Sequence, residues 1–185
     1  YGLFIHFGMN TYGEGQHPGV LPVSAYEPVR LDGDSWVRIA KDAGMKYAVL
    51  TAKHDCGFCL WDSKVLWHGK EFDYDVTASQ YKTDVVLAFM DACKKYNIVP
   101  GLYYGLRDAY TGQGRGKPMQ KDYFDLVKAH FTELTTRYPE CHYYWIDNPD
   151  SSSPEQAAAI YELIRRADPR NIVQFNAHLA CPWTK

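Results

Sequence analysis

Short apolar runs recur along the chain and are separated by longer amphipathic stretches. Each run has β-branched or aromatic residues at most positions, which is typical of strands that are covered on both faces. The predicted strands are residues 2–7, 47–51, 99–104, 143–146 and 172–176. Because the runs are nearly continuously apolar, we expect them to form a buried parallel sheet.

The stretches between the strands repeat apolar residues at a spacing of about 3.6, which predicts four helices. Their apolar positions are Trp36, Ile39, Ala40 and Ala43, then Val85, Val86, Phe89, Met90 and Cys93, then Phe124, Val127, Phe131 and Leu134, and finally Ile160 and Leu163. Helix-start signals are Asp34 for the first helix, Thr83 for the second, and Ser153 with Pro154 for the fourth. Gly44 stands where a left-handed residue closes the first helix.

Alternating strands and helices indicate βαβ units, which occur both in an open doubly wound sheet and in a (β/α)8 barrel. The length of 185 residues favours the open sheet, because a barrel needs about 250 residues. Two observations favour the barrel: no Gly-rich phosphate-binding sequence follows a strand, and ionisable residues cluster at the carboxyl ends of successive strands. We predict one α/β domain over residues 1–185, a TIM-like (β/α)8 barrel truncated to about five βα units.

Composition excludes several classes of function. The 20 basic and 22 acidic residues leave a net charge of −2, too small for the field that attracts nucleic acid. No apolar run approaches the roughly 18 residues of a membrane span, so we expect no membrane partner. The chain begins at Tyr1, beside a predicted strand rather than with a signal peptide, as expected of a cut end. The 15 tyrosines and 5 tryptophans have apolar faces and polar edges that suit sugar rings, although most will be ordinary core.

The 5 cysteines are irregularly spaced and do not resemble a disulfide framework. Cys56 and Cys59 form a C-x-x-C, and a zinc site could be drawn with His6 and His54. The second pair of ligands that a closed tetrahedral site needs is absent, however. A redox role is disfavoured because the motif precedes a loop and not a helix. We therefore predict no metal.

Ionisable residues follow the first two strands. His6 lies near the end of the first strand, where a core histidine with internally satisfied ring nitrogens is as good an interpretation as a binding residue. Lys53, His54 and Asp55 follow the second strand together, which indicates a functional site rather than packing. Trp61 is either a face on which a sugar stacks or a hydrophobic plug over the barrel mouth.

Stronger chemistry follows the third and fourth strands. A phenol from the pair Tyr103 and Tyr104 can hydrogen-bond a substrate or a carboxylate. Asp147 ends an apolar strand beside Trp145 and is the best catalytic candidate in the chain. The alternative, that Asp147 caps the next helix, is weaker because Ser153 is the better cap.

Several motifs in consistent order resemble family 29 glycoside hydrolases, the α-L-fucosidases. They occupy residues 4–8, 41–47, 51–63, 82–86, 102–105 and 144–148, and so extend over nearly the whole chain. The resemblance implies a retaining exo-glycosidase that removes terminal α-L-fucosyl residues from a fucosylated oligosaccharide or glycoconjugate, with no cofactor. Members of the family are commonly secreted, periplasmic or lysosomal.

The resemblance also assigns residues. Asp147, in its Trp-hydrophobic-Asp context, matches the family nucleophile that forms the covalent fucosyl intermediate, and Trp145 becomes a substrate-binding candidate. His6 matches a histidine that hydrogen-bonds fucose hydroxyls, and His54 matches the first of two paired histidines. Of the matching tyrosine pair near the nucleophile we favour Tyr104, which is nearer the strand end.

One position departs from the family pattern. Many members have a second histidine and then Asp where this chain has Asp55 and Cys56; Asp55 and Trp61 complete the substrate-binding candidates. A retaining enzyme needs a second carboxyl group about 5 to 5.5 Å from the nucleophile. By the family's spacing this acid/base glutamate falls after Lys185, so the chain alone is expected to turn over little or nothing.

Two other functions stay open. One is a catalytically inactive fucosidase-like domain that keeps the aromatic cleft and binds carbohydrate. The other is a small α/β metal protein that uses His54, Cys56 and Cys59.

Overall fold

The computed structural model describes residues 1–15 and 18–176. Seven strands and four α-helices lie in this part of the chain. The strands are β1 (Gly2–Ile5), β2 (Tyr47–Lys53), β3 (Leu66–Trp67), β4 (Lys70–Glu71), β5 (Val99–Gly105), β6 (Tyr143–Asp147) and β7 (Ile172–Asn176). The helices are α1 (Gly33–Asp42), α2 (Val85–Tyr96), α3 (Lys121–Arg137) and α4 (Pro154–Ala167).

Five strands form one parallel sheet in the order β1-β2-β5-β6-β7. This order follows the chain without reversal, as in a (β/α) barrel, whereas a doubly wound sheet reverses direction at its switch point. The prediction of an α/β fold of barrel type is therefore confirmed. The register sets Gly105, Asp147 and Asn176 side by side at the carboxyl edge of the sheet.

Two of the predicted helix starts are wrong. α1 is capped by Asp32, whose side chain accepts a hydrogen bond from the Ser35 backbone at 2.9 Å, and not by Asp34. α2 is capped by Asp84 and not by Thr83. In both cases the cap is the residue with non-helical backbone angles whose carboxylate reaches an amide three residues on, a geometry that sequence alone does not reveal.

The predicted closure of α1 and the start of α4 are confirmed. Gly44 has a φ of 74° and allows the Met45 amide to donate to the Ala40 carbonyl at 2.9 Å, as in a Schellman motif. Ser153 forms a capping box, in which its hydroxyl accepts from the Gln156 amide at 3.2 Å and the Gln156 side chain accepts from the Ser153 amide at 2.9 Å.

The four helices cover one face of the sheet, where the core lies. The buried core includes Val37, Leu50, Phe89, Leu102, Phe131, Ile146 and Ile160. The opposite face carries large apolar side chains that stay exposed, namely Phe4 (42%), Tyr47 (42%), Val99 (49%) and Ile172 (61%). Strands of a closed barrel turn this face toward the packed interior. The five-stranded sheet therefore exposes the surface that further strands cover in a complete barrel.

A short hairpin, which the sequence pattern does not predict, lies between β2 and α2. Strands β3 and β4 pair antiparallel, and the turn residues His68 and Gly69 have φ values of 50° and 80°. Two successive left-handed residues are the signature of a tight hairpin turn. Trp67 of the hairpin lines a cavity together with residues 111–113 of the loop that follows β5.

Candidate active site

Asp147 ends β6, and three side chains from three neighbouring segments donate hydrogen bonds to its carboxylate. The Tyr103 hydroxyl lies 2.6 Å from Oδ2, the Asn176 amide nitrogen 2.7 Å from Oδ1, and the Asn148 amide nitrogen 3.3 Å from Oδ2. Tyr103 and Asn176 reach it because β5 and β7 flank β6 in register. The carboxylate is thus held in one orientation at the carboxyl edge of the sheet.

Tyr103 is suited to act as a donor. Burial, reinforced by the hydrogen bond to Asp147, raises the pKa of Tyr103 far above its usual value. The phenol therefore keeps its proton at neutral pH and donates a hydrogen bond to the carboxylate. Gly105, two residues on, leaves room for the Asp55 side chain, since a Cβ there would lie 2.9 Å from an Asp55 carboxylate oxygen.

A cluster of aromatic and imidazole rings lies on the same face of the sheet as this carboxylate. The Phe4 ring lies 5.0 Å from the Trp145 ring and 5.7 Å from the Tyr103 ring, centroid to centroid. The His54 ring stacks on Tyr103 at 5.5 Å, and His6 lies 4.7 Å from His54. Apolar faces beside hydrogen-bonding imidazoles are the combination that recognises a sugar ring. His6, His54 and Trp145 thus belong to one cluster of rings that includes Tyr103, the residue that donates to Asp147.

The His54 ring is held by its contact with Asn10. The Asn10 side-chain amide lies 2.9 Å from Nδ1 of His54. This hydrogen bond, together with the stacking on Tyr103, fixes the orientation of the ring.

Asp55 also belongs to the site, where its carboxylate accepts a hydrogen bond from the Asn148 side chain. The Asn148 amide nitrogen donates to Asp55 Oδ1 at 2.9 Å as well as to Asp147. Asn148 is buried and has a φ of 56°, a left-handed conformation that asparagine tolerates better than most residues. One amide therefore separates two neighbouring carboxylates and fixes their relative position.

Lys53 belongs to the opposite face of β2, although it precedes His54 directly. Its ammonium is fully buried, forms an ion pair with Asp108 at 3.0 Å and donates to the Gly105 and Arg107 carbonyls at 3.0 and 3.2 Å. These contacts tie the end of β2 to the loop after β5. Lys53 therefore stabilises these two segments from the helix side of the sheet, and its side chain does not face Asp147.

The structure corrects two predicted substrate-binding residues, because both side chains point toward the helices. Tyr104 is buried, and its hydroxyl lies 2.8 Å from Nδ1 of His130 on α3. The tyrosine beside Asp147 is therefore Tyr103. Trp61 is also buried, and its indole nitrogen donates to Glu133 at 3.0 Å. A ring enclosed in the core cannot stack on a sugar.

Two residues of the site were not singled out from the sequence. Asn148 and Asn176 both donate to Asp147. The available signal was that each is a short amide at or next to the carboxyl end of a predicted strand. Polar residues at this edge of a parallel sheet converge on one site, so strand position pointed to both asparagines.

The described residues contain no group of three or more His, Cys, Asp or Glu side chains arranged to hold a metal ion. Cys56 and Cys59 are buried free thiols, and burial raises the pKa of Cys56 to about 11. Cys181 lies outside the described residues. Within residues 1–15 and 18–176, no helix is long and apolar enough to cross a membrane.

The fold and the site define a class: a (β/α) barrel of which five strands are present, with its polar site at the carboxyl ends of the strands. The family model for alpha-L-fucosidase matches residues 11–180. The chain therefore belongs to the α-L-fucosidase family, glycoside hydrolase family 29.

Individual relatives agree with this assignment. Alpha-L-fucosidase 1 of Arabidopsis thaliana is 32% identical over 189 residues, which cover 98% of this chain and 36% of the relative. The solved structure of alpha-L-fucosidase isoenzyme 1 from Paenibacillus thiaminolyticus has a TM-score of 0.75 at 26% identity and covers 93% of this chain and 47% of that one. A GH29 alpha-L-fucosidase from Bacteroides thetaiotaomicron, at 24% identity and a TM-score of 0.78, shares the fold over 93% of this chain and 45% of its own. The chain spans about a third of the length of the curated relatives it matches.

Proposed function

We propose that the protein carrying this chain is a retaining exo-glycosidase that releases terminal α-L-fucosyl residues from glycans, with Asp147 as the nucleophile. The observation that supports this proposal most directly is the Asp147 carboxylate at the end of β6, which accepts hydrogen bonds from Tyr103, Asn148 and Asn176. Membership of the α-L-fucosidase family supports the choice of sugar. The substrate is a fucosylated oligosaccharide or glycoconjugate.

The reaction has two displacements. In the first, an Asp147 oxygen forms an ester bond to the anomeric carbon, the glycosidic bond breaks, and a second carboxyl group protonates the departing oxygen. In the second, that carboxylate removes a proton from water, which attacks the anomeric carbon and releases Asp147. We assign the second carboxyl group to a glutamate outside this chain. Two carboxyl groups and water suffice, so the mechanism uses no metal or cofactor.

The residues around Asp147 hold the sugar. His54 and His6 supply ring nitrogens that can hydrogen-bond fucose hydroxyls, and Trp145 with Phe4 supplies apolar surface. Asp55 lies beside Asp147, since the Asn148 amide donates to both carboxylates. Interactions that strengthen as the ring flattens toward the oxocarbenium-like transition state accelerate the reaction.

The test is hydrolysis of an aryl α-L-fucoside by the full-length protein, wild type against Asp147→Ala, with and without azide. We expect the substitution to lower kcat by about 10⁴-fold or more, the scale on which nucleophiles matter. Azide, which fits the space that the carboxylate leaves, should restore turnover and give β-fucosyl azide.

Each alternative outcome has a distinct meaning. Unchanged activity in the Asp147→Ala variant would reject Asp147 as the nucleophile. A wild-type protein that binds fucose but turns over no aryl fucoside would instead support the inactive carbohydrate-binding domain.

A further inference from the structure

The hydroxyl of Thr51, in β2, contacts the backbone on both sides of His6. Its Oγ1 accepts a hydrogen bond from the Phe7 amide at 3.1 Å and donates to the Phe7 carbonyl at 2.5 Å, and the Ile5 carbonyl lies 3.4 Å away. The Thr51 side chain is enclosed, with the residue only 1% exposed. One hydroxyl therefore fixes the short stretch of backbone from which the His6 imidazole projects.

These contacts begin where the pairing of β1 with β2 ends. The last pair in the register of the two strands is Ile5 opposite Leu50, so His6 and Phe7 lie beyond it. Thr51 is the next residue of β2 after that pair. Main-chain N–H and C=O groups that are shielded from water need partners, and at Phe7 the Thr51 side chain supplies them.

A β-bulge follows Thr51. In the register of β2 with β5, Thr51 pairs with Tyr103 but Lys53 pairs with Tyr104, so β2 has one residue more than β5 at this point. A bulge bends its strand and redirects the side chains that follow. Because side chains alternate along a strand, an unbulged β2 would turn Lys53 away from the helices and His54 toward them. The bulge thus places His54 on the face of Tyr103, where the two rings stack at 5.5 Å.

The two histidines meet on that face. The His6 ring lies 4.7 Å from the His54 ring, and both residues line one cavity. His6 is exposed, so contacts of its backbone and of the neighbouring rings, rather than burial, determine where its imidazole lies. The Phe7 ring packs 5.3 Å from Trp36 of α1. Phe7 is therefore held by its ring on the helix side and by its backbone at Thr51.

We infer that Thr51 is a positioning residue of the proposed fucose site: its hydroxyl holds the backbone around His6 and so fixes where the imidazole meets a fucose hydroxyl. The inference rests on the proposed function, which gives His6 its role. Thr51 acts through His6 and does not touch the sugar, because it is enclosed in the fold.

The experiment compares Thr51→Val with Thr51→Ser in the full-length protein, with 4-nitrophenyl α-L-fucoside as substrate. Valine keeps the shape of threonine without the hydroxyl, whereas serine keeps the hydroxyl. We expect Thr51→Val to lower kcat/KM about 10-fold or more, the scale of a displaced substrate-positioning group. Thr51→Ser should stay within about threefold of the wild type. An equal loss in both variants would overturn the inference, because it would show that the methyl group and not the hydroxyl matters.

Thr135→Val on α3 is the matched control. It also removes a buried hydroxyl, which donates to the Phe131 carbonyl at 2.8 Å, but it lies on the helix side of the sheet. We expect kcat/KM to be unchanged in this variant. A loss as large as that of Thr51→Val would overturn the inference, since any lost buried hydroxyl would then have the same effect.

A double-mutant cycle tests whether Thr51 acts through His6. In a His6→Ala background, Thr51→Val should lower kcat/KM by less than about a further twofold, because the group that it positions is gone. Fully additive losses would overturn the inference. If Thr51→Val does not fold, Thr51→Cys serves in the same cycle, since a thiol is only a weak donor and acceptor.

Binding of L-fucose provides a readout independent of turnover. Calorimetric titration of the full-length protein should show a Kd that Thr51→Val raises about 10-fold and Thr51→Ser changes little. Binding that is absent from the wild type, or unchanged by Thr51→Val, would overturn the inference. A wild type that binds L-fucose but does not hydrolyse the aryl fucoside would count against the proposed function alone, and the titration then decides the role of Thr51.

Discussion

Tyr103 and Tyr104 are adjacent in β5 and have opposite fates. Tyr103 faces the open side of the sheet and donates to Asp147 at 2.6 Å. Tyr104 faces the helices, where its ring lies 4.8 Å from Phe131 and its hydroxyl contacts His130. Successive side chains of a strand point to opposite faces, so neighbouring residues of β5 lie one beside Asp147 and the other in the core.

The same contrast holds for the end of β2. Lys53 is enclosed on the helix side with Asp108, whereas His54 contacts Asn10 and Tyr103 on the open side. The helix side contains polar side chains that pair with each other and stabilise the fold. The open side contains polar side chains that converge on Asp147. Substitutions on the two sides should therefore separate into losses of stability and losses of activity.

The largest expected loss of stability follows from Lys53→Met. It leaves the Asp108 carboxylate buried without its ion-pair partner, and breaking one side of a buried pair costs about 3–5 kcal/mol. Urea unfolding of the full-length protein measures this. The double variant Lys53→Met/Asp108→Leu is the control and should recover much of the loss, because it removes the unpaired charge. A loss below about 1 kcal/mol for Lys53→Met would show that the pair does not stabilise the fold.

The two tyrosines provide the most direct test of the contrast. Tyr103→Phe removes a donor that orients Asp147 and should lower kcat on an aryl α-L-fucoside about 10- to 100-fold, the scale of a misplaced reacting group. Tyr104→Phe removes only the contact with His130 and should cost about 1 kcal/mol of stability with kcat unchanged. Steady-state kinetics and urea unfolding of both variants check this. A Tyr104→Phe variant with the greater kinetic defect would contradict the assignment of faces.

Because of His130, the free energy of unfolding should depend on pH. Burial, with a smaller contribution from Lys53, lowers the pKa of His130 well below its usual value. Below about pH 6.5 the unfolded chain therefore binds a proton that the folded protein does not, and the free energy of unfolding falls as the pH drops. The contribution is at most about 1.4 kcal/mol per pH unit and is fully present above pH 6.5.

His130→Gln, which keeps an acceptor for Tyr104, should flatten this slope between pH 6.5 and 5. Urea unfolding at several pH values in that window measures it, with the wild type as reference. An identical slope in the variant would mean that other groups carry the acid sensitivity.

Local sequence signals were sufficient for much of the fold. The five strands, the four helices, the Gly44 closure and the Ser153 cap all follow from apolar periodicity and short-range chemistry. The exact caps at Asp32 and Asp84 and the β3–β4 hairpin did not, because several nearby residues could serve equally well and the backbone angles decide among them.

For the site, the sequence by itself determined which strand ends carry polar chemistry, and so it pointed to His6, His54, Asp55 and Asp147. Only the tertiary structure decided which side chains meet. Tyr103, and not Tyr104, contacts Asp147. Trp61 lies in the core. Asn148 and Asn176 both donate to the Asp147 carboxylate. The physical reason is that the pleat and the register between neighbouring strands, which depend on pairing across the sheet, determine the direction and the neighbours of every side chain.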